Sequence, residues 1–283
     1  MKELVVFLLL SSFEMLTNNA HQDILKVYTC VDECKKSGSS VNFTIPQGRW
    51  AHQMTYDDER GRVLLFGGSH GDTILSDLWT WDGSKWKEIT ADGPPAINKG
   101  VFVYDASRKT NVLFGGANNE DKNVGDTWEW DGRNWKQLKV KGPEARVHAL
   151  GVYDYKNRVV LIFGGFGDSG VLNDTWSFDG KKWKKMNTNG PIDCLPNGMI
   201  YDEIRKTVIM ITVMLKADPS TGKPGNEMWE WTGTEWEKLS NATPSINGLQ
   251  AFASFGNNEI LLFDGNDDTG NKGTTWKYSS NKW

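Results

Sequence analysis

The residues able to do chemistry are few and far apart. Four histidines (His21, His52, His70, His148) and three cysteines (Cys30, Cys34, Cys194) occur in 283 residues. A closed zinc site needs four such ligands brought together, whereas Cys30 and Cys34 supply two thiols and suit a local disulfide in an oxidising compartment. Cys194 is left over, as a small buried side chain. No metal ligand set and no cofactor is expected. Gly165-Phe166-Gly167-Asp168-Ser169-Gly170 matches the dinucleotide glycine pattern. It leads into another strand, so no helix N-terminus is there to receive a pyrophosphate. Asn266-Asp267-Asp268-Thr269-Gly270-Asn271 offers hard oxygen donors but departs from the helix-flanked calcium loop. No nucleophile motif is present. Arg146 with Asp168 would imitate an acid–base pair only in a geometry that sequence does not supply, and no catalytic residue is assigned.

Composition narrows the partners. The net charge is −4 with no basic run, which argues against nucleic acid and against an anionic membrane surface. The length suits one large all-β domain. Residues 1–20 have an early lysine, an apolar stretch at Leu4–Leu10 and a small residue at Ala20. They read as a secretory signal too short to span a membrane, which places the protein outside the cytoplasm. The competing reading makes Glu3–Ser12 a worn strand and Asp23–Tyr28 another, both of an incomplete sixth repeat, in a chain that stays cytoplasmic. Residues 21–47 form a distinct N-terminal segment, and 48–283 form the repeat domain.

The elements that must position any site are set by a repeat near 50 residues. Asp-Thr-Trp-Ser-Phe-Asp-Gly-Lys-Lys-Trp (174–183) returns in variant form around Trp79, Trp128, Trp229 and Trp276, with spacings between successive leading tryptophans of 49, 48, 53 and 47. Such a period signals an array of small supersecondary units. Two aromatics two apart, such as Trp128 and Trp130, share one strand face. Asp131-Gly132 then signals a hairpin, and the chain returns through Trp135. Upstream, Val159–Phe163 is an apolar run of the kind found in buried strands, closed by Gly164-Gly165, as Val63–Phe66 is by Gly67-Gly68 and Asn111–Phe114 by Gly115-Gly116. The paired glycines suit unusual φ or close approach of another chain. Each run is preceded by Tyr-Asp and a polar turn. Every repeat is therefore four antiparallel strands.

This arrangement resembles the tryptophan-rich kelch repeat, over residues 48–283. The resemblance implies a β-propeller of four-stranded blades: five clear repeats, an N-terminal segment for an incomplete sixth, and ring closure unsettled where six or seven blades are usual. Trp79, Trp86, Trp128, Trp135, Trp176, Trp183, Trp229, Trp236, Trp276 and Trp283 would staple neighbouring blades, all of the 14 tryptophans but Trp50 lying in the repeated segment. The fourth repeat replaces its double glycine by Thr212-Val213, with a lengthened loop over 215–225. Antiparallel topology gathers Arg49, His52, Arg146 and His148 with the loops 69–76, 117–125, 166–173, 214–226 and 266–273. Function usually sits on such loops, and the ligand-binding candidates are Arg49, His52, Arg146, His148, Phe166, Asp168, Asp267 and Asp268. Kelch-type copper oxidases need paired histidines, tyrosines and a crosslinked cysteine, which this chain lacks. The resemblance therefore implies a non-catalytic module binding protein, with Arg49 and Arg146 as anchors. The alternative is carbohydrate recognition or modification in the manner of an epimerase, using Asp/Asn with Phe166 or Trp50.

Overall fold

The computed structural model describes residues 45–186, 190–217, 224–239, 251–255, 259–264, 274–279 and 282–283. The two readings of 1–20, the Cys30–Cys34 disulfide and the candidates Asp267 and Asp268 fall outside these residues. Every described element is a β-strand, and among the described residues no helix is long and apolar enough to cross a membrane.

The architecture is a β-propeller. Four blades are four-stranded antiparallel sheets with strands in sequence order. The first comprises Gln53–Asp57, Arg62–Phe66, Leu78–Trp81 and Trp86–Ile89. The second comprises Val101–Asp105, Thr110–Phe114, Thr127–Trp130 and Trp135–Leu138. The third comprises Leu150–Asp154, Val159–Phe163, Thr175–Phe178 and Trp183–Met186. The fourth comprises Cys194–Asp202, Thr207–Ala217, Pro224–Trp231 and Trp236–Lys238. Three strands of a fifth are described: Ala251–Phe255, Glu259–Asp264 and Thr274–Tyr278. First strands of successive blades adjoin one another, so they form the inner ring. The second strands are buried in every one of the first three blades, as their apolar runs dictate: Leu64, Phe66, Leu113, Phe114 and Leu161–Phe163 are almost wholly inaccessible.

Each repeated residue type has a cause. The aspartate ending the first strand folds the polar turn that follows: Asp105 accepts from the Ser107 and Arg108 amides at 3.0 and 3.1 Å, and Asp154 from Lys156 and Asn157, both at 3.1 Å. The tyrosine before it crosses to the preceding blade, Tyr104 accepting from the Glu59 amide and Tyr153 from the Ser107 amide at 3.2 Å. The Asp-Gly hairpin is a four-residue turn rather than a tight two-residue one, since Trp130 pairs with Trp135. Only Gly132 takes positive φ there, while Asp131 accepts from the Arg133 and Asn134 amides at 2.7 and 2.8 Å.

Both reasons for the double glycine operate together. Gly115 and Gly116 have φ of 70° and 108°, and the Gly116 amide donates to Arg146 O of the next blade at 2.8 Å. A Cβ on Gly116 would stand 2.5 Å from Asn98 O. Gly116→Ala is therefore expected to cost about 2–4 kcal/mol in urea unfolding, from backbone strain and overlap together. Gly71→Ala, also at positive φ but with open space around its Cβ, costs about 1 kcal/mol. Equal losses at the two sites would refute the close-approach explanation.

Of the expected staples, Trp135, Trp183 and Trp236 join blades, whereas Trp79 and Trp176 bond an aspartate of their own blade and Trp86 faces Trp81 of its own. The Trp135 ring lies 5.3 Å from Phe66, Trp183 5.0 Å from Phe114 and Trp236 6.0 Å from Phe163, each partner in the preceding blade. The indoles of Trp183 and Trp236 also donate to Thr127 and Thr175 at 2.9 Å. The fourth blade departs from expectation in one respect. Without glycines to break the ladder, its second strand continues through Thr212-Val213 to Ala217, which pairs with Pro224. Residues 215–217 and 224–225 are thus strand rather than loop.

Candidate functional site

The starts of the first strands and the loops after the second strands meet at one end of the ring. Arg49 and Arg146 are there, but they face inward. Arg146 Nη1 donates to Gly164 O at 2.9 Å and to Asp174 at 2.5 Å, Nη2 reaches the other Asp174 oxygen at 3.2 Å, and Nε binds Glu144 O at 3.0 Å. Arg49 repeats this with Gly67 O (3.0 Å), Asp77 (2.5 and 2.8 Å) and Gln47 O (3.0 Å). Their side chains are 0% and 3% exposed. The expectation that they anchor a ligand is corrected: each guanidinium ties the start of a blade to its double glycine and to the aspartate before its tryptophan. Trp79 and Trp176 complete the unit by donating to Asp77 and Asp174 at 2.5 and 2.7 Å. The second blade carries Ile97 at this position, and Cys194 occupies it in the fourth.

The surface itself is built one step further along. Ala51, Lys99 and His148 hold the same position in the first three blades, and all three are in the left-handed region, at φ 52°, 55° and 56°. A non-glycine residue there costs about 1–2 kcal/mol. A line of backbone bonds between blades holds it: the Lys99 amide donates to Ala51 O and the His148 amide to Lys99 O, both at 2.9 Å. Strain of this kind gathers where a surface must be held in one shape. Around the line, Lys99 Nζ stands 5.8 Å from the centre of the Trp50 ring, and His148 meets the Phe166 ring edge-on at 6.3 Å. Trp50 is 50% exposed. Trp50, Lys99, His148 and Phe166 thus form a continuous aromatic and cationic row across three blades.

Burial and a neighbouring cation disfavour the charged form of His148 and His52. Burial, then the Lys99 charge, lowers the His148 pKa; burial, then Arg49, lowers that of His52, whose Nδ1 is buried without a partner. Below the ordinary imidazole value of about 6.5 the unfolded chain takes up protons that the folded chain refuses. These groups therefore favour folding above that pH, and the contribution fades as pH falls through it. Asp168 is exposed and accepts from Asn123 Nδ2 at 3.0 Å, clasping the second and third loops. Glu144 accepts from the Ser169 amide and hydroxyl at 3.1 and 3.0 Å.

Of the sequence candidates, His148 and Phe166 lie in the row, His52 immediately precedes the first strand and packs against Gly68, and Asp168 braces the rim. Lys99 went unrecognised. Alignment of Arg49-Trp50-Ala51-His52, Ile97-Asn98-Lys99-Gly100 and Arg146-Val147-His148-Ala149 on the Tyr-Asp pairs that follow would have found it. Among the described residues no group of three or more His, Cys, Asp or Glu could hold a metal ion.

No curated protein matches the chain. A family model, the KLHDC2/KLHL20/DRC7 Kelch-repeats domain, matches residues 16–209 and so takes in part of the segment ahead of the first described strand. With the blade pattern, the double glycines and the tryptophan staples in place, the chain belongs to this Kelch-repeat family.

Proposed function

We propose that this propeller is a non-catalytic module that binds a protein through the loop end, with Trp50, Lys99, His148 and Phe166 as the contact centre. Kelch-repeat domains generally mediate protein–protein interaction. The observation that carries the reading is exposed Trp50 with half-buried Lys99 beside its ring, Lys99 being fixed by strained backbone rather than left to a flexible loop. A rigid aromatic beside a cation is the composition of interface hot spots, and preorganisation lowers the ordering cost of association. Exposed Val171, Ile192 and Leu215 extend the same end apolarly towards the third and fourth blades.

The test is affinity capture from native lysate with the purified chain, beside Trp50→Ala/Lys99→Glu. Trp50 is exposed, Lys99 is half-buried and neither packs into a core cluster of the described residues, so the melting temperature should hold, while affinity for the captured protein drops at least tenfold, the scale of a hot-spot pair of about 2 kcal/mol. If the variant retains the same proteins at the same strength, the loop end is not the binding surface.

A further inference from the structure

At the other end of the ring, the third residue after each first-strand aspartate points towards the outer turn of the next blade. Arg60 bonds Asp57 at 3.0 Å and donates to Asp131 O across the junction. Arg108 bonds Asp105 at 2.7 Å and lies 5.2 Å from the centre of the Phe178 ring. Arg205 bonds Asp202 at 2.5 Å and lies 5.3 Å from the centre of the Tyr278 ring. The facing glycines make room: a Cβ on Gly132 or Gly180 would stand 2.1 or 2.3 Å from the arginine Nε. Between the third and fourth blades the residue is Asn157. It bonds Asp154 at 2.7 Å and stops short, leaving a Cβ on Gly233 3.2 Å from its Nδ2. A cleft of about 230 Å3 stays open there, lined in part by Asn157, Ser177, Asp179, Lys182, Lys184 and Trp231.

We infer that this cleft receives an arginine side chain presented by a partner protein. Three sister junctions show what the groove is shaped to hold. Trp231 stands where Phe178 and Tyr278 face their arginines, and tryptophan is the strongest of the aromatic faces for a cation. Thr232 O corresponds to Asp131 O, the acceptor for Arg60, and Asp179 supplies a carboxylate at the wall. Lys182 and Lys184 do not forbid a cation, because Lys85 and Lys87 hold the same positions in the first blade, which carries Arg60. A guanidinium is also planar and weakly hydrated, so it enters such a slot more readily than an ammonium. The cleft lies at the opposite end from the loop surface and does not depend on that surface being a binding site.

The test is to titrate the purified chain with arginine capped at both termini, with capped lysine, with free arginine and with inorganic phosphate, following the Trp231 indole resonance by NMR. Capped arginine should shift it saturably, with capped lysine at least tenfold weaker and free zwitterionic arginine no better than the capped form. Asn157→Arg should abolish the shift and raise the melting temperature, by refilling the groove as its sisters are filled. Asp179→Asn, which keeps the turn acceptor, should weaken binding without unfolding the chain. An equal response to lysine, a response to phosphate alone, or an arginine response that survives Asn157→Arg overturns the assignment. Preference for free arginine makes the ligand a small molecule and overturns the partner-protein source.

Discussion

Arg146→Ala should lower the stability of the propeller by about 3–5 kcal/mol, the usual cost of removing one partner of a buried ion pair. The side chain is wholly inaccessible and satisfies Gly164 O, Glu144 O and both oxygens of Asp174. Its loss orphans two carbonyls and leaves a half-buried carboxylate with Trp176 and, at 3.6 Å, Lys185. Arg146→Lys should recover only part of the loss, because an ammonium cannot make the two-toothed contact. Adding Asp174→Ala to Arg146→Ala should cost less than the sum of the single changes, as contacting pairs do. Acid unfolding gives an independent check. Burial alone would raise the Asp174 pKa, but the Arg146 guanidinium and the Trp176 indole outweigh it and hold the carboxyl below its ordinary value. A lowered carboxyl contributes stability above the unfolded value of about 3.8, and loses it as pH falls through the folded value. Arg146→Ala should therefore flatten this part of the acid limb. A change under about 1 kcal/mol in urea, with an unaltered acid limb, would show that Arg146 is not structural.

The second large effect is expected at a staple. Trp183→Ala should cost about 4–5 kcal/mol, at the upper end for truncating a buried aromatic. Trp183 is 6% exposed and sits between Phe178 of its own blade, at 4.9 Å, and Phe114 of the preceding one, at 5.0 Å. Gly142, in the linker between the two blades, packs so close that a Cβ would stand 2.8 Å from its ring. The change therefore opens a cavity between two blades and cuts their indole-to-Thr127 bond. Thr127→Val isolates that bond at about 1–2 kcal/mol, the cost of a buried donor left unmatched. Trp86 is the same residue of the first blade, half-buried, its ring set against Trp81 at 5.5 Å. Trp86→Ala should cost roughly half as much. Similar losses at Trp86 and Trp183 would mean that the tryptophans stabilise single blades and do not join them.

The blade was legible because its signals are local. Alternation, the buried apolar runs, Asp-Gly turns and paired glycines each constrain a few adjacent residues, and the repeat displays them several times over. The fourth blade was legible only in part: Thr212-Val213 announced a missing break, but not that the ladder would continue to Ala217. Arg49 and Arg146 were misread for a different reason. Their place at the loop end followed from topology, whereas their direction depends on Asp77 and Asp174, 28 residues away. An arginine at a rim and an arginine clamped inward look the same in one dimension. Lys99 was overlooked because its contribution comes from a left-handed backbone and from Trp50, on a different blade.

The sequence by itself determined the propeller, its four-stranded blades, the tryptophans that join them and the end on which its loops gather. Each of these follows from periodicity and turn chemistry within one repeat. Only the tertiary structure decided which polar side chains face solvent and which are absorbed, that a row of exposed and half-buried side chains runs Trp50, Lys99, His148 and Phe166, and that the junction with Asn157 keeps an open cleft. Those outcomes depend on residues of neighbouring blades that meet at a few ångströms while lying some 50 positions apart, a separation across which hydrophobic and turn patterns carry no information about direction.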